Sequence, residues 1–273
     1  MIPASFDYEL AESVDHAIEL LGSRGDAKLL AGGHSLLPLM KLRFARPELL
    51  VDIGRLDELR YVREDGDRIA IGALTRHHEV ANDPILREAN PIVAATALEI
   101  GDPQVRHMGT IGGSVAHGDP ASDLPTVLLA LDAELVMRGP GGERTVTAAD
   151  FFVGLFETAL GPQEVLTEVR VAKLDGARST YIKSHRRAQD WATVGVAAIA
   201  NGGVRVAFTN MGATPLRASA VEQAIASGAD PATAAASADE GTSPPSDTNG
   251  SAAYRRHLAR VLTRRALEEV IAG

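Results

Sequence analysis

The sequence predicts an α+β chain in two parts. Residues 1–175 form the larger part, with subdomains of about 1–54 and 55–175, and residues 176–273 form a smaller one. Three observations carry this. Short apolar runs alternate with helical periodicity up to Gly54. Hairpin signals begin directly afterwards. Around Lys173–Ala177 the chain changes to strand-like runs and Ala-rich helices, which reads as a three-stranded antiparallel sheet with helices.

Residues 5–54 read as strand, helix, strand, helix, strand. Ser13 is placed to cap a helix whose Val14, Ala17, Ile18 and Leu21 share one face, with Gly22 and Gly25 as the stop. Lys28–Leu30 and Leu49–Ile53 are buried strands, with a short helical segment over Leu36–Met40 between them. In the second subdomain Glu64-Asp65-Gly66-Asp67 joins two strands as a hairpin. Thr75 caps a helix through His77, His78 and Val80. The two adjacent histidines share no helical face and read as surface or helix-start residues. Pro91–Ile100 is an apolar helix, and Leu124–Leu131 a buried one with Asp123 as a natural N-cap. Ala133–Arg138, Arg144–Val146 and Glu164–Val171 are strands. In the last part Thr180–Ser184, Thr193–Ala200 and Gly203–Thr209 are strands, and Asn201-Gly202-Gly203 marks a hairpin. Residues 215–227 and 231–238 are helices, and 241–250 form a polar loop. Residues 251–272 are a final helix with Tyr254, Leu258, Val261, Leu262, Leu267 and Val270 apolar.

Two glycine-rich segments interrupt this pattern. Ala31-Gly32-Gly33-His34-Ser35 lies between apolar runs. Gly109-Thr110-Ile111-Gly112-Gly113-Ser114 continues through His117 to Asp119-Pro120-Ala121-Ser122-Asp123. Adjacent glycines let backbone amides line a concavity that favours an anion such as a phosphate. Neither segment is a G-x-G-x-x-G fingerprint, and no G-K-[ST] phosphate loop exists in the chain. If both serve one ligand, a two-part phosphate-bearing molecule fits best. An ordinary turn between core segments is the competing reading. His34 and His117 read as loop hydrogen-bonders, and Arg186 and Arg187 as a solvated basic turn or contacts to a partner or phosphate.

Composition narrows the chemistry. The 273 residues, 45% hydrophobic and 23% charged, suit a folded globular chain. A net charge of −9 argues against a nucleic-acid partner. No apolar run reaches the roughly 18 residues of a transmembrane helix, and Met1-Ile2-Pro3-Ala4-Ser5 has neither the basic nor the apolar region of a signal peptide. Cysteine is absent, which removes disulfides, thiolate nucleophiles, cysteine zinc sites and iron–sulfur ligation from this chain. Redox chemistry here therefore requires an organic cofactor or other chains.

Residues 31–43 (AGGHSLLPLMKLR), 110–125 (TIGGSVAHGDPASDLP), 183–197 (KSHRRAQDWATVGVA) and the tail 246–268 (SDTNGSAAYRRHLARVLTRRALE) together resemble the FAD-binding medium subunit of molybdenum hydroxylases, the xanthine dehydrogenase family. Within it the chain is most similar to medium chains of aerobic carbon monoxide dehydrogenases. The resemblance spans essentially the whole chain. It implies a two-subdomain FAD-binding fold of the vanillyl-alcohol-oxidase (PCMH) type and then a small C-terminal domain. It implies FAD contacts from Leu29, Leu30, Ala31, Gly32, Gly33, His34, Ser35 and Leu36, then Ile100, then Thr110, Ile111, Gly112, Gly113 and Ser114. Asp123, Leu166 and Lys183 follow, with Trp191 either covering the flavin face or packing beside the sheet. No residue of this chain acts as nucleophile, general base or metal ligand in that picture. The resemblance also implies a large molybdenum subunit and a small iron–sulfur subunit as partners, in a dimer of heterotrimers. It implies an external acceptor such as a quinone, and a cytoplasmic complex, any membrane association being supplied by the complex. A stand-alone FAD oxidase or dehydrogenase of the same superfamily and a non-redox nucleotide-binding module remain open alternatives.

Overall fold

The computed structural model describes residues 1–272. The first unit contains β1 (Asp7–Leu10), α1 (Val14–Ser23), β2 (Lys28–Leu30), α2 (Leu36–Lys41) and β3 (Leu49–Asp52). Its strands form a parallel sheet ordered β1-β3-β2. β3 is central, and its unbroken apolar run Leu49-Leu50-Val51 is buried, as expected of a parallel strand covered on both faces. Ser13 caps α1 as predicted, its hydroxyl accepting from the His16 amide at 3.1 Å. Val14, Ala17, Ile18 and Leu21 are the buried face. The helix stops between Gly22 and Gly25, as expected, but neither glycine is its cap. Gly22 lies inside α1, and the helix ends where Arg24 turns to extended backbone.

The second unit follows a 3-10 turn at Asp57–Leu59. Its first elements are β4 (Val62–Asp65), β5 (Arg68–Gly72), α3 (His77–Asn82), α4 (Pro84–Ala89), α5 (Pro91–Leu98), α6 (Pro103–Met108), α7 (Ile111–His117) and α8 (Asp123–Ala130). Then come β6 (Glu134–Gly139), β7 (Gly142–Thr147), α9 (Ala148–Phe151), β8 (Phe152–Gly154), β9 (Glu157–Thr158) and β10 (Val165–Ala172). The five-stranded sheet β4-β5-β10-β6-β7 is antiparallel throughout, and β8 and β9 form a separate small hairpin. The helices bury Val80, Leu86, Val93, Val115, Leu124 and Leu128 in the central core.

Three local expectations change here. Thr75 does not cap α3. Its hydroxyl is buried against the Tyr61 backbone, while Arg76 takes the N-cap position and the Glu79 carboxylate accepts the Arg76 amide at 2.9 Å. The second glycine-rich segment is not a loop: Ile111–His117 is the helix α7, closed by left-handed Gly118. Asp123 lies inside the first turn of α8, and Ser122 holds the N-cap position.

The last unit contains β11 (Arg178–Ser184), β12 (Val194–Ala200), β13 (Val204–Thr209), β14 (Leu216–Arg217), α10 (Ser219–Ala226), α11 (Pro231–Ala235) and α12 (Ala252–Ala272). The sheet has four strands, β11-β12-β13-β14, rather than three, because the two-residue β14 adds to the edge. β12 shows the two-residue period of a sheet buried on both faces. Val194, Val196 and Ala198 join the core beneath α12, while Ala197 and Ile199 join the central core with α8. Along α12 the buried positions include Ala259, Leu262, Ala266, Leu267 and Val270; Tyr254 is exposed, against expectation. Arg255 is fully buried, donates to the Thr193 carbonyl, and forks onto Asp247 at 2.7 and 2.8 Å.

Candidate functional site

A cleft of about 350 Å³ opens where the units meet, and both glycine segments line it. Its first wall is the turn from β2 into α2. Leu30 is held by its carbonyl, which accepts the Ile53 amide at 3.0 Å. Gly33 then takes φ +74°, a left-handed value that a side chain rarely adopts. Gly32 is pressed against the backbone after α6: a Cβ there would stand 2.7 Å from Gly109 Cα and 2.8 Å from the Met108 carbonyl carbon. The amides of Gly32, Gly33, His34, Ser35 and Leu36 donate to no group among the described residues. Leu37 is the first to be spent, on the Gly33 carbonyl at 3.0 Å.

The second segment is built differently. The Ile111 amide donates to Thr75 O at 3.0 Å, Gly112 to Ala73 O at 2.9 Å and Ser114 to Thr110 O at 3.0 Å. The Gly113 amide donates to the Thr110 hydroxyl at 3.0 Å. These amides hold α7 in place and are not available to a ligand in this arrangement. Thr110, Gly112, Gly113 and Ser114 do face the cleft, but Ile111 is a core residue with no exposed surface.

Ile100, Asp123, Leu166 and Trp191 also line the cleft. Lys183 does not. Its ammonium is buried against Asp123, Nζ to Oδ2 2.8 Å, and donates to the Glu99 carbonyl at 2.8 Å. Burial pushes the Asp123 carboxyl up, and the Lys183 charge pulls it back. Trp191 is 55% exposed at the rim. It stands just before a fixed base: the Ala192 carbonyl accepts from Asn210 Nδ2 at 2.8 Å, and the Thr193 amide donates to Ser184 O at 2.7 Å.

Some lining residues escaped the sequence reading. Leu160, Pro162 and Val105 add apolar wall. His77 is buried and lines the cleft rather than sitting on the surface. Burial, with smaller contributions from His34 and Arg106, lowers its pKa to about 4, so the imidazole is neutral at ordinary pH. The signal was present, because His77 falls in the same helical stripe as Val80 and Ala81. His117 packs against Phe156 with the rings tilted, their centroids 5.1 Å apart. Arg186 donates to the Thr248 carbonyl at 3.3 Å. No group of three or more metal-ligating side chains occurs among the described residues. The site therefore offers orphan amides, small backbone contacts and apolar walls, with one buried ion pair at its edge. That set suits an elongated ligand with anionic and flat apolar parts.

Residues 4–173 match the family described as the FAD binding domain in molybdopterin dehydrogenase, and residues 179–270 match the CO dehydrogenase flavoprotein C-terminal domain. The chain is 42% identical over 285 residues to the carbon monoxide dehydrogenase medium chain of Hydrogenophaga pseudoflava, covering 98% of this chain and 97% of that one. It is 40% identical over 283 residues to the glyceraldehyde dehydrogenase medium chain of Sulfolobus acidocaldarius, covering 99% and 100%. The solved structure of carbon monoxide dehydrogenase from Hydrogenophaga pseudoflava superposes with a TM-score of 0.96 at 44% identity, covering 100% of this chain and 99% of that one.

Proposed function

The chain belongs to the FAD-binding medium subunits of the molybdenum hydroxylases, and we propose that the cleft between its three units is where it holds FAD. The observation that carries this is the row of five unspent amides from Gly32 to Leu36 in a cleft closed by apolar walls. A row of that kind offsets two phosphate charges without a cationic cage. Leu29, Leu30, Ala31, Gly32, Gly33, His34, Ser35 and Leu36 take the pyrophosphate. Thr110, Gly112, Gly113 and Ser114 form the opposing wall, with Ile111 anchoring it in the core. Ile100 and Leu166 supply apolar contact. Asp123 accepts from a cofactor hydroxyl, and Lys183 acts through Asp123 rather than directly. Trp191 stacks over the flavin and limits which acceptor reaches it.

When bound, the flavin supplies the exchange between single-electron and paired-electron transfer. The chain's own groups bind and orient it and keep water from the apolar part of the cleft. His77, neutral and buried, neither donates nor takes a proton there at working pH.

The domain division follows the same logic: residues 1–175, as subdomains of about 1–54 and 55–175, carry the cofactor, and residues 176–273 close the site. The metal centres belong to partners, a large molybdenum subunit and a small iron–sulfur subunit, in a dimer of heterotrimers that passes electrons to a quinone-type acceptor. Phe44 supports the need for partners. It is 80% exposed beside half-exposed Leu42. Its amide donates to Leu39 O at 2.9 Å, which fixes the backbone that presents the ring to solvent. Among the described residues no helix is long and apolar enough to cross a membrane, and the complex is assigned to the cytoplasm, with any membrane association made by partners. Substrate choice lies with the large subunit. Near-equal identity to relatives named for carbon monoxide and glyceraldehyde, 42% and 40%, is what a subunit handling only electrons would show. Carbon monoxide is the substrate to test first.

The test is to purify the native complex through a tag on this chain, record its visible spectrum and analyse the denatured supernatant. Flavin absorbance, released FAD and two co-purifying chains carrying molybdenum and iron are expected. A yellow chain that oxidises a substrate alone would replace this reading with a stand-alone oxidase. A colourless chain that takes up no added FAD would end the flavin assignment.

A further inference from the structure

A chain of buried polar groups joins the C-terminal sheet to the cleft wall. Asp123 has 5% of its side chain exposed, and both of its oxygens are gripped from β11. The Tyr181 hydroxyl donates to Oδ1 at 2.6 Å and Lys183 Nζ to Oδ2 at 2.8 Å. Behind the phenol, Thr209 Oγ1 stands 3.0 Å from the Tyr181 oxygen and 2.8 Å from Thr126 Oγ1 on α8. Gly195 makes the room for this hydroxyl. A Cβ there would meet the Tyr181 oxygen and lie 2.7 Å from Thr209 Oγ1. The three hydroxyls thus form one hydrogen-bonded chain running from α8 through the C-terminal sheet and back to a carboxylate on the cleft wall. Tyr181 itself does not line the cleft.

We propose that Tyr181 is a positioning residue for the cofactor: it fixes Asp123 as an oriented carboxylate at the cleft wall, so that the C-terminal domain sets how tightly FAD is held. This rests on the reading that Asp123 accepts from bound FAD. A carboxylate held at both oxygens cannot rotate, and its remaining lone pairs keep one direction for a ligand hydroxyl. Charge-assisted bonds to a buried carboxylate are among the stronger ones available to a protein. The charged and titratable groups facing Asp123 are Lys183 and Tyr181 from β11 and Glu99 from the end of α5. Burial and Glu99 favour the protonated acid, while Lys183 and Tyr181 favour the carboxylate. Removing the phenol's hydrogen bond therefore lets Asp123 become neutral at a higher pH.

The experiment titrates FAD into the full-length apoprotein by equilibrium dialysis between pH 5 and 8, for the unchanged chain, Tyr181→Phe, Gly195→Ala and Asp123→Asn. Thermal unfolding of each apoprotein monitors folding. Tyr181→Phe keeps the ring and is expected to bind FAD roughly tenfold more weakly at pH 7. Its loss of affinity on acidification should begin at a higher pH than in the unchanged chain, because the Tyr181 hydrogen bond favours the carboxylate. Gly195→Ala, which displaces the hydroxyl with Tyr181 still present, should move the profile the same way. A purely structural role for Tyr181 would lower thermal stability and leave the pH profile in place, and that result overturns the proposal. If Asp123→Asn weakens FAD binding while Tyr181→Phe matches the unchanged chain, the positioning role falls and the Asp123 contact stands. If Asp123→Asn leaves FAD affinity unchanged, the Asp123 contact falls and takes this proposal with it.

Discussion

Gly32→Ala is the sharpest test of how the cleft is built. The added Cβ would stand 2.7 Å from Gly109 Cα and 2.8 Å from the Met108 carbonyl carbon. Carbon atoms in contact rest about 3.5–4.0 Å apart, so the turn must retreat by roughly 1 Å. Both neighbours are backbone held by the Gly109 amide's bond to Val105 O at 2.7 Å, so they yield little. A retreat of that size takes an amide–oxygen bond from about 2.9 Å to nearly 4 Å, where it no longer counts as one. Losing two such bonds to charged oxygens costs on the order of 3 kcal/mol, or more than a hundredfold in affinity. Folding suffers less, by about 1–3 kcal/mol of overpacking. The assay is FAD titration of the apoprotein beside its thermal melt, with Gly25→Ala as control because nothing lies within 4 Å of a Cβ there. Gly32→Ala binding FAD as tightly as the unchanged chain would refute the argument that this close approach positions the amide row.

Four further outcomes follow from the same geometry. Trp191 is the single tryptophan, so its emission reports one site: FAD addition should quench it strongly, and unchanged emission on saturation would place the indole away from the flavin. Below about pH 6.5 the unfolded chain binds a proton at His77 that the folded protein refuses until about pH 4. Stability therefore falls as pH drops through that window, by up to about 3 kcal/mol from this group, and His77→Phe should flatten the fall in urea titrations at pH 4.5 against pH 7. Asp247→Ala leaves the buried Arg255 guanidinium with only the Thr193 carbonyl. Because Asp247 is partly exposed, the expected cost is about 2 kcal/mol, seen as a lower melting temperature; an unchanged melt would show that water replaces the carboxylate. Phe44→Asp should remove partner chains from a tagged pull-down while leaving FAD content unchanged, and retention of all partners would exclude Phe44 from the interface.

Much of this molecule is legible in its sequence, for identifiable reasons. Ser13 and the stripe Val14, Ala17, Ile18 and Leu21 announce α1 because capping and burial agree there. The run Leu49-Leu50-Val51 reads as a covered parallel strand for the same kind of reason. Thr110–His117 was less legible. Its glycines argue for a loop by propensity, at about 1 kcal/mol each against helix. The structure overrides this because Gly112 packs against Ala73 and the Thr110 hydroxyl caps the turn. His77 was misplaced because a histidine on a helix reads as surface, although its stripe with Val80 and Ala81 pointed inward. The resemblance places Lys183 at the flavin, whereas in the fold its ammonium donates to Asp123 and to the Glu99 carbonyl, a pairing across distant segments that no sequence pattern encodes.

The two glycine segments look alike in sequence and divide the work between them. In 32–36 the glycines keep amides unspent: Gly33 turns the chain left-handed and Gly32 lets it lie on the neighbouring backbone. In 111–114 the amides are spent within the protein, so this segment's service is rigidity. A soft wall opposite an amide row would let a long ligand sample many poses, and each pose lost on binding would lower affinity. The prediction separating the roles is Thr110→Val. It removes the acceptor of the Gly113 amide without touching the 32–36 row, so FAD should still bind but dissociate faster, with faster hydrogen exchange at Gly113. If Thr110→Val instead abolished binding and left exchange at Gly113 unchanged, the second segment would be a direct phosphate site and the division drawn here would be wrong.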